Sequence, residues 1–90
     1  MKKKLLKDNS KYIIGNYSRY PISIVSGDGS YVYDSESKKY LDFISGIAVN
    51  NLGHNNKKVN SAINKQLKNL VHISNLFVIH NQVNFAKEIV

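Results

Sequence analysis

A small α/β arrangement, with short antiparallel strands followed by helices, is the fold class this sequence predicts. Three observations predict it. Residues 22–43 hold three runs rich in β-branched or aromatic side chains, separated by turn chemistry. Residues 57–71 repeat apolar side chains with the period of a helix. Between them lies an apolar stretch broken twice by glycine, which fits neither pattern. The expected layout is a basic N-terminal arm over 1–16, a three-stranded meander and apolar loop over 17–56, and helices over 57–90.

The arm is polar and basic with one apolar pair, Ile13-Ile14, and reads as a frayed helix or a disordered segment. Ile22-Ser23-Ile24-Val25 is the first strand. It ends at Gly27-Asp28-Gly29, a turn signal. Tyr31-Val32-Tyr33 is the second. Asp34-Ser35-Glu36-Ser37-Lys38 is a polar turn, and Lys39-Tyr40-Leu41-Asp42-Phe43 is the third strand. Its period of two places Tyr40 and Asp42 on one face, Leu41 and Phe43 on the other.

Residues 44–56 carry Gly46 and Gly53 inside an apolar run. Surface loops are usually polar, so this composition predicts a buried segment whose backbone approaches something closely. From Lys57, the positions Val59, Ala62, Ile63, Gln66, Leu67, Leu70 and Val71 follow the i, i+3, i+4, i+7 series. Asn55 or Asn56 can cap this helix, while Lys57 and Lys58 oppose its dipole. A second helix is expected from Asn81 or Gln82, with Val83, Ala86, Ile89 and Val90 on its stripe. That stripe stops on two apolar residues without a glycine cap, so the 90 residues are expected to belong to something longer.

Hydrophobic residues make up 42% of the chain, too many for a compositionally disordered segment. There is no cysteine, which excludes disulfides and thiolate zinc sites. The formal charge is +7. Residues 1–11 hold five lysines against Asp8, a net +4, and residues 12–90 hold eight Lys or Arg against five acids, a net +3. The charge thus gathers in the arm, with no interleaved basic and aromatic pattern to stack nucleic-acid bases. No run approaches the ~20 apolar residues of a membrane span, and Leu5-Leu6 is too short for a signal-peptide core. The expectation is a soluble cytoplasmic protein with neither a nucleic-acid nor a membrane partner.

A search for catalytic constellations finds none. His54, His72 and His80 lack helical metal-site spacing, and no carboxylate stands beside them in a ligand pattern, so no metal site is expected. No serine lies in a nucleophile elbow. Asp34, Glu36 and Asp42 read as turn and strand-surface residues. Only the glycine-interrupted segment 44–54, bracketed by strand and helix, has the makings of a pocket wall; a packed loop joining two layers explains it equally well.

Set in order, Gly27-x-Gly29-x-Tyr31-x-x-Asp34, Lys39-Tyr40-Leu41-Asp42-Phe43, Ser45-Gly46-Ile47-Ala48-Val49-Asn50 and Leu52-Gly53-His54 resemble the start of the class III pyridoxal-phosphate-dependent aminotransferases. Gln66, Leu70 and His72-x-Ser74-Asn75-Leu76 continue the likeness, which runs in register from residue 16 to residue 90. Gly-Ile-Ala-Val-Asn with His-x-Ser-Asn-Leu most resembles the acetylornithine-type family within that class. The resemblance implies part of a fold-type-I aminotransferase, a homodimer using pyridoxal 5'-phosphate. It implies transfer of an amino group from N2-acetylornithine to 2-oxoglutarate, in arginine biosynthesis. It also implies that the catalytic lysine, the phosphate-binding turn and the aspartate beneath the pyridine nitrogen all lie beyond Val90. The chain would then hold no catalytic and no cofactor-binding residue, and would be inactive alone. On the substrate side the resemblance points to Tyr17, Ile47 and Ala48, and places Asn75 near the active site without a contact.

Two departures from the family pattern carry physical consequences. Gly53-His54-Asn55-Asn56-Lys57 lacks the family's second histidine and its helix-starting proline. The turn Asp34–Lys38 lacks the family's glycine, so a left-handed residue there costs roughly 1 kcal/mol. Two other readings compete: a different ornithine- or 4-aminobutyrate-type class III aminotransferase, and a small basic module binding a polyanion through the lysine-rich arm.

Overall fold

The computed structural model describes residues 2–90. In chain order the elements are α1 (Lys2–Tyr12), β1 (Ile24–Asp28), β2 (Tyr31–Asp34), β3 (Lys39–Leu41), a single turn α2 (Ser45–Ala48), α3 (Lys57–Leu67) and α4 (His80–Ile89). They divide into two compact units, one ending at Lys57 and one running from Lys58 to Val90.

In the first unit the basic arm is helical over Lys2–Tyr12. Lysine and leucine are good helix formers, and Ser10 Oγ donates back to the Leu6 carbonyl at 3.2 Å. Lys2 Nζ lies 3.6 Å from Glu36, a surface ion pair of little energetic weight.

The three strands form an antiparallel sheet in the order β1-β2-β3, the expected meander. β1 lies later than its β-branched run suggests, because its pairing continues through Gly27 and Asp28, opposite Val32 and Tyr31. The connection is therefore two residues, Gly29-Ser30. Gly29 sits at φ 58, a conformation glycine reaches without steric cost. A register shift between Ile24 and Ser26 bulges the edge strand at Val25. Across β2 and β3, Val32 faces Tyr40, and Lys39 Nζ stands 3.9 Å over the Tyr31 ring on the other face.

No hydrophobic side chain among the described residues is buried. The buried side chain is Asp34, 6% exposed, which the sequence pattern marks only as a turn residue. Its Oδ1 accepts the Glu36 and Lys38 N–H groups, both at 2.9 Å, and its Oδ2 accepts the Tyr40 hydroxyl at 2.9 Å. One carboxylate thus forms the turn between β2 and β3 and ties it to the third strand. Ser37 takes φ 65 there, the left-handed position expected of the missing glycine.

In the second unit, α3 ends where the Asn69 and Leu70 N–H groups both reach the Gln66 carbonyl at 3.0 Å. α4 opens after Ile79, whose extended backbone (φ −110, ψ 116) still accepts the Val83 N–H at 3.1 Å. α3 stops short of the expected Leu70 and Val71, and α4 begins one residue before the expected start and ends before Val90; the stripe residues Ile63, Leu67 and Ile89 are 52%, 56% and 67% exposed.

Replacing Ser37 with glycine (Ser37→Gly) removes the left-handed penalty. It is expected to stabilise the chain by about 1 kcal/mol, read as a higher urea midpoint at unchanged m.

Candidate functional site

The candidate site is the loop after β3, closed at its base by one carboxylate and one imidazole. Asp42 stands just beyond β3, where its N–H donates to the Ser30 carbonyl at 2.8 Å and extends the ladder by one residue. Its Oδ1 accepts the Ile44 and Ser45 N–H groups at 3.0 and 2.8 Å. A short acidic side chain can fold back onto the amides that follow it, which starts the turn here. Its Oδ2 lies 2.7 Å from His54 Nε2, at the far end of the loop.

His54 is held from a second direction. Its N–H donates to the Gly29 carbonyl at 2.8 Å, and its carbonyl accepts the Gly29 N–H at 2.9 Å. The ring lies where Gly27 has no side chain: a Cβ on Gly27 would come within 2.6 Å of His54 Cγ. Gly53, at φ 79, passes so near that a Cβ on it would stand 2.9 Å from the Gly29 carbonyl oxygen. Gly27 and Gly53 thus admit the histidine to the strand, beyond the hairpin role the sequence suggests for the first of them.

Between these fixed ends α2 is helical only in outline. Ser45 (φ 55), Gly46 (φ 77, ψ −98) and Ala48 (φ 56) are left-handed, and Ile47 (φ −132, ψ 62) is non-helical. The Ala48 N–H reaches the Ile44 carbonyl at 3.0 Å, and the Val49 and Asn50 N–H groups reach the Ser45 carbonyl at 2.9 and 3.1 Å. The turn raises Ile47 to 89% exposure, with Ile44, Val49 and Leu52 near 70%. The expected burial of this segment is therefore not found. Its glycines do serve a close backbone approach, between Gly53 and Gly29, while the apolar side chains face outward.

The structure sets Ile47 and Ala48 together in this turn. It holds Tyr17 apart, 71% exposed, with the Arg19 guanidinium 5.4 Å from its ring centre. A hollow of about 630 Å³ on the meander is lined by Ile22, Ile24, Val32, Tyr40, Phe43 and Ile44 among others, and Tyr17 does not line it. In the second unit Asn75 borders a hollow of about 250 Å³ with His72 and Asn81. Gln66 organises its wall, donating to the Leu70 carbonyl at 2.8 Å and accepting from Asn81 Nδ2 at 3.1 Å. Asp42 and His54 are the residues that sequence reading missed. They are twelve positions apart, and the signals that could have found the pair were the glycine inside β1 and Gly53 beside the histidine.

Hydrogen bonds set the titration of both aspartates. The Ser45 amide foremost, then His54, holds the Asp42 carboxyl below the usual carboxylate range. The Lys38 amide, with Tyr40 and Glu36, does the same for Asp34 against the opposing effect of desolvation. Donating to that carboxylate raises the Tyr40 phenol. Among the described residues no cluster of His, Cys, Asp or Glu could hold a metal ion, and no helix is long and apolar enough to cross a membrane.

The Aminotransferase class-III family model matches residues 12–90. Over 79 residues the chain is 48% identical to the acetylornithine aminotransferase of Caldanaerobacter subterraneus subsp. tengcongensis, covering 88% of this chain and 20% of that protein. It is 48% identical over 80 residues to the acetylornithine aminotransferase of Methanocaldococcus jannaschii, covering 89% and 20%. The crystal structure of acetylornithine aminotransferase from Elizabethkingia anophelis superposes with a TM-score of 0.92 at 28% identity, covering 98% of this chain and 23% of that one. The ornithine delta-aminotransferase of Plasmodium falciparum superposes with a TM-score of 0.83 at 29% identity, covering 88% and 20%. The chain therefore belongs to the class III aminotransferases. It spans about a fifth of the length of the curated relatives it matches, and its fold is part of a pyridoxal-phosphate-dependent aminotransferase domain.

The residues present do not fit that family's cofactor. A lysine that binds an aldehyde needs an enclosed, desolvated place. Every described lysine is exposed except the half-buried Lys2, which pairs with Glu36. Asp34 is engaged by the Glu36 and Lys38 amides and the Tyr40 hydroxyl, and Asp42, although it borders two hollows, has its oxygens taken by the Ile44 and Ser45 amides and by His54, so neither is left to pair with a pyridine nitrogen.

Two outcomes follow. Because both aspartates titrate lower when folded, their stabilisation is complete above the unfolded value near 3.8 and is lost as pH falls through the lowered ones. Amide exchange followed from pH 6 downward should show both turns intact to about pH 4 and opening below it. Substituting Gly27→Ala should displace His54 and destabilise the chain by about 1–3 kcal/mol in urea unfolding.

Proposed function

We propose that this chain forms the N-terminal part of an acetylornithine aminotransferase. In that enzyme, a pyridoxal-phosphate-dependent homodimer of arginine biosynthesis in the cytoplasm, the amino group of N2-acetylornithine passes to 2-oxoglutarate. The observation that carries this reading is identity near one half, over 79 and 80 residues, with two proteins named acetylornithine aminotransferase. The superposition on an acetylornithine aminotransferase over 98% of the chain supports it from the fold.

Within that enzyme Ile47 and Ala48 line the donor-substrate pocket, and Tyr17 lies at its edge. The loop geometry favours this role for the pair, since a clamped turn presents two uncharged side chains together. Such a surface suits the methylene chain of an amino-acid donor rather than its charges. The basic arm, the meander with its loop, and the helices from residue 57 are the first three segments of the whole enzyme. The chain alone binds no cofactor productively and transfers no amino group.

Replacing the matching segment of the Caldanaerobacter relative with this chain tests the reading. The chimera should transfer amino groups from N2-acetylornithine to 2-oxoglutarate with kcat/KM within about tenfold of the parent. A folded, cofactor-loaded chimera that accepts only ornithine or 4-aminobutyrate would favour the neighbouring class III activities, which the fit to the ornithine delta-aminotransferase also allows. A folded and loaded chimera without transfer would overturn the proposal. By itself the chain, titrated with pyridoxal phosphate, should show no cofactor absorbance band that disappears on substituting one particular lysine.

A further inference from the structure

We infer that Asp42 and His54 are positioning residues for the donor substrate: their pairing holds the 44–53 loop in the strained form that presents Ile47 and Ala48. The inference rests on the reading of those two residues as substrate-lining.

Three features lead to it. The loop is anchored at both ends by one carboxylate. Asp42 Oδ1 takes the two amides at its start, and Oδ2 takes the imidazole at its finish, 2.7 Å away. The loop inside is costly in conformation, because Ser45 and Ala48, which are not glycine, both sit at positive φ. Strain of this kind persists only where the surroundings over-determine it. Finally, the strained turn does not serve packing within this unit, because it leaves Ile47 89% exposed. A segment built at a conformational cost and displayed outward is shaped for what it meets.

The same geometry separates positioning from proton transfer. His54 Nε2 faces Asp42, and Nδ1 lies toward Gly27, where an added Cβ would stand 3.0 Å from it. Neither nitrogen is presented beside Ile47. The small hollow around the pair is lined by Gly29, Ser30, Ser45, Asn50, Asn51 and Gly53, none of which carries a charge, so no other ionised side chain borders it. Asp42 and His54 act through the loop they hold.

The test compares His54→Ala, His54→Gln and Asp42→Asn in the full 90-residue chain by amide hydrogen exchange. The Ala48, Val49 and Asn50 amides report the loop; the Asp34 and Ser37 amides report the distant turn. In His54→Ala the loop amides should exchange about tenfold faster or more while the distant turn changes less than about twofold. His54→Gln, which keeps a donor for Asp42, should restore most of the protection, a rescue that simple loss of folding does not show. Unchanged loop amides in His54→Ala, or a native chain with no loop protection, overturn the inference. In the chimera described above, His54→Ala should raise KM for N2-acetylornithine about tenfold with kcat within about twofold. A loosened loop with unchanged KM overturns the substrate link. If the chimera with the native chain has no activity, the functional reading fails, and the clamp stands or falls on the exchange experiment alone.

Discussion

Asp42 is the constraint on which the first unit's form depends. Its backbone lengthens the third strand by one ladder bond, one carboxylate oxygen starts the following turn, and the other fastens the turn's far end through His54. Removing such a group does more than delete one contact, because two amides and an imidazole lose their acceptor together. The pairing of His54 with Gly29 then carries the constraint back to the first hairpin, so strand, loop and hairpin share one node.

Asp34 repeats the solution on a smaller scale at the β2–β3 turn. Both carboxylates gather backbone N–H groups from residues that follow closely in sequence, and both reach one side chain farther away. No hydrophobic side chain is buried among the described residues, and these charge-assisted bonds fix the two turns locally. The apolar side chains remain outward-facing: Phe43, Ile47, Leu76 and Val78 are each about nine-tenths exposed. In relatives about five times as long, surfaces of this kind have much more chain available to cover them.

What could be read from the sequence follows from the range of the forces involved. The meander and both helices of the second unit were legible, because alternation, helical period and turn residues are local signals. Ser37 was legible only through the family resemblance: where the family's turn has glycine and this one lacks it, another residue must take positive φ, as Ser37 does at 65. Asp34 and Asp42 looked like ordinary turn and surface carboxylates, since acidic residues in turns are common and their acceptors' partners are not written beside them. The Asp42–His54 pairing spans twelve residues and depends on a strand glycine making room, a coincidence no periodicity encodes. Glycine and apolar residues in 44–54 signalled close approach, and that was right for the backbone of Gly53 and wrong for the side chains.

That last split bears on how the loop should be understood. A loop whose glycines only eased its path would need no anchor at both ends, and one that packed inward would have buried Ile47. Here left-handed residues are concentrated in the four positions of α2, between two ties to a single carboxylate, and the turn they make points an uncharged side chain outward. Conformational strain, the clamp that sustains it and the exposure it produces are one arrangement. The Asp34 turn, also capped by one carboxylate, consists of Ser35, Glu36, Ser37 and Lys38 and so has no apolar side chain to display. The loop after β3 differs from it in carrying Ile44, Ile47 and Val49, and in a second anchor, since His54 meets Asp42 through its ring and Gly29 through its backbone.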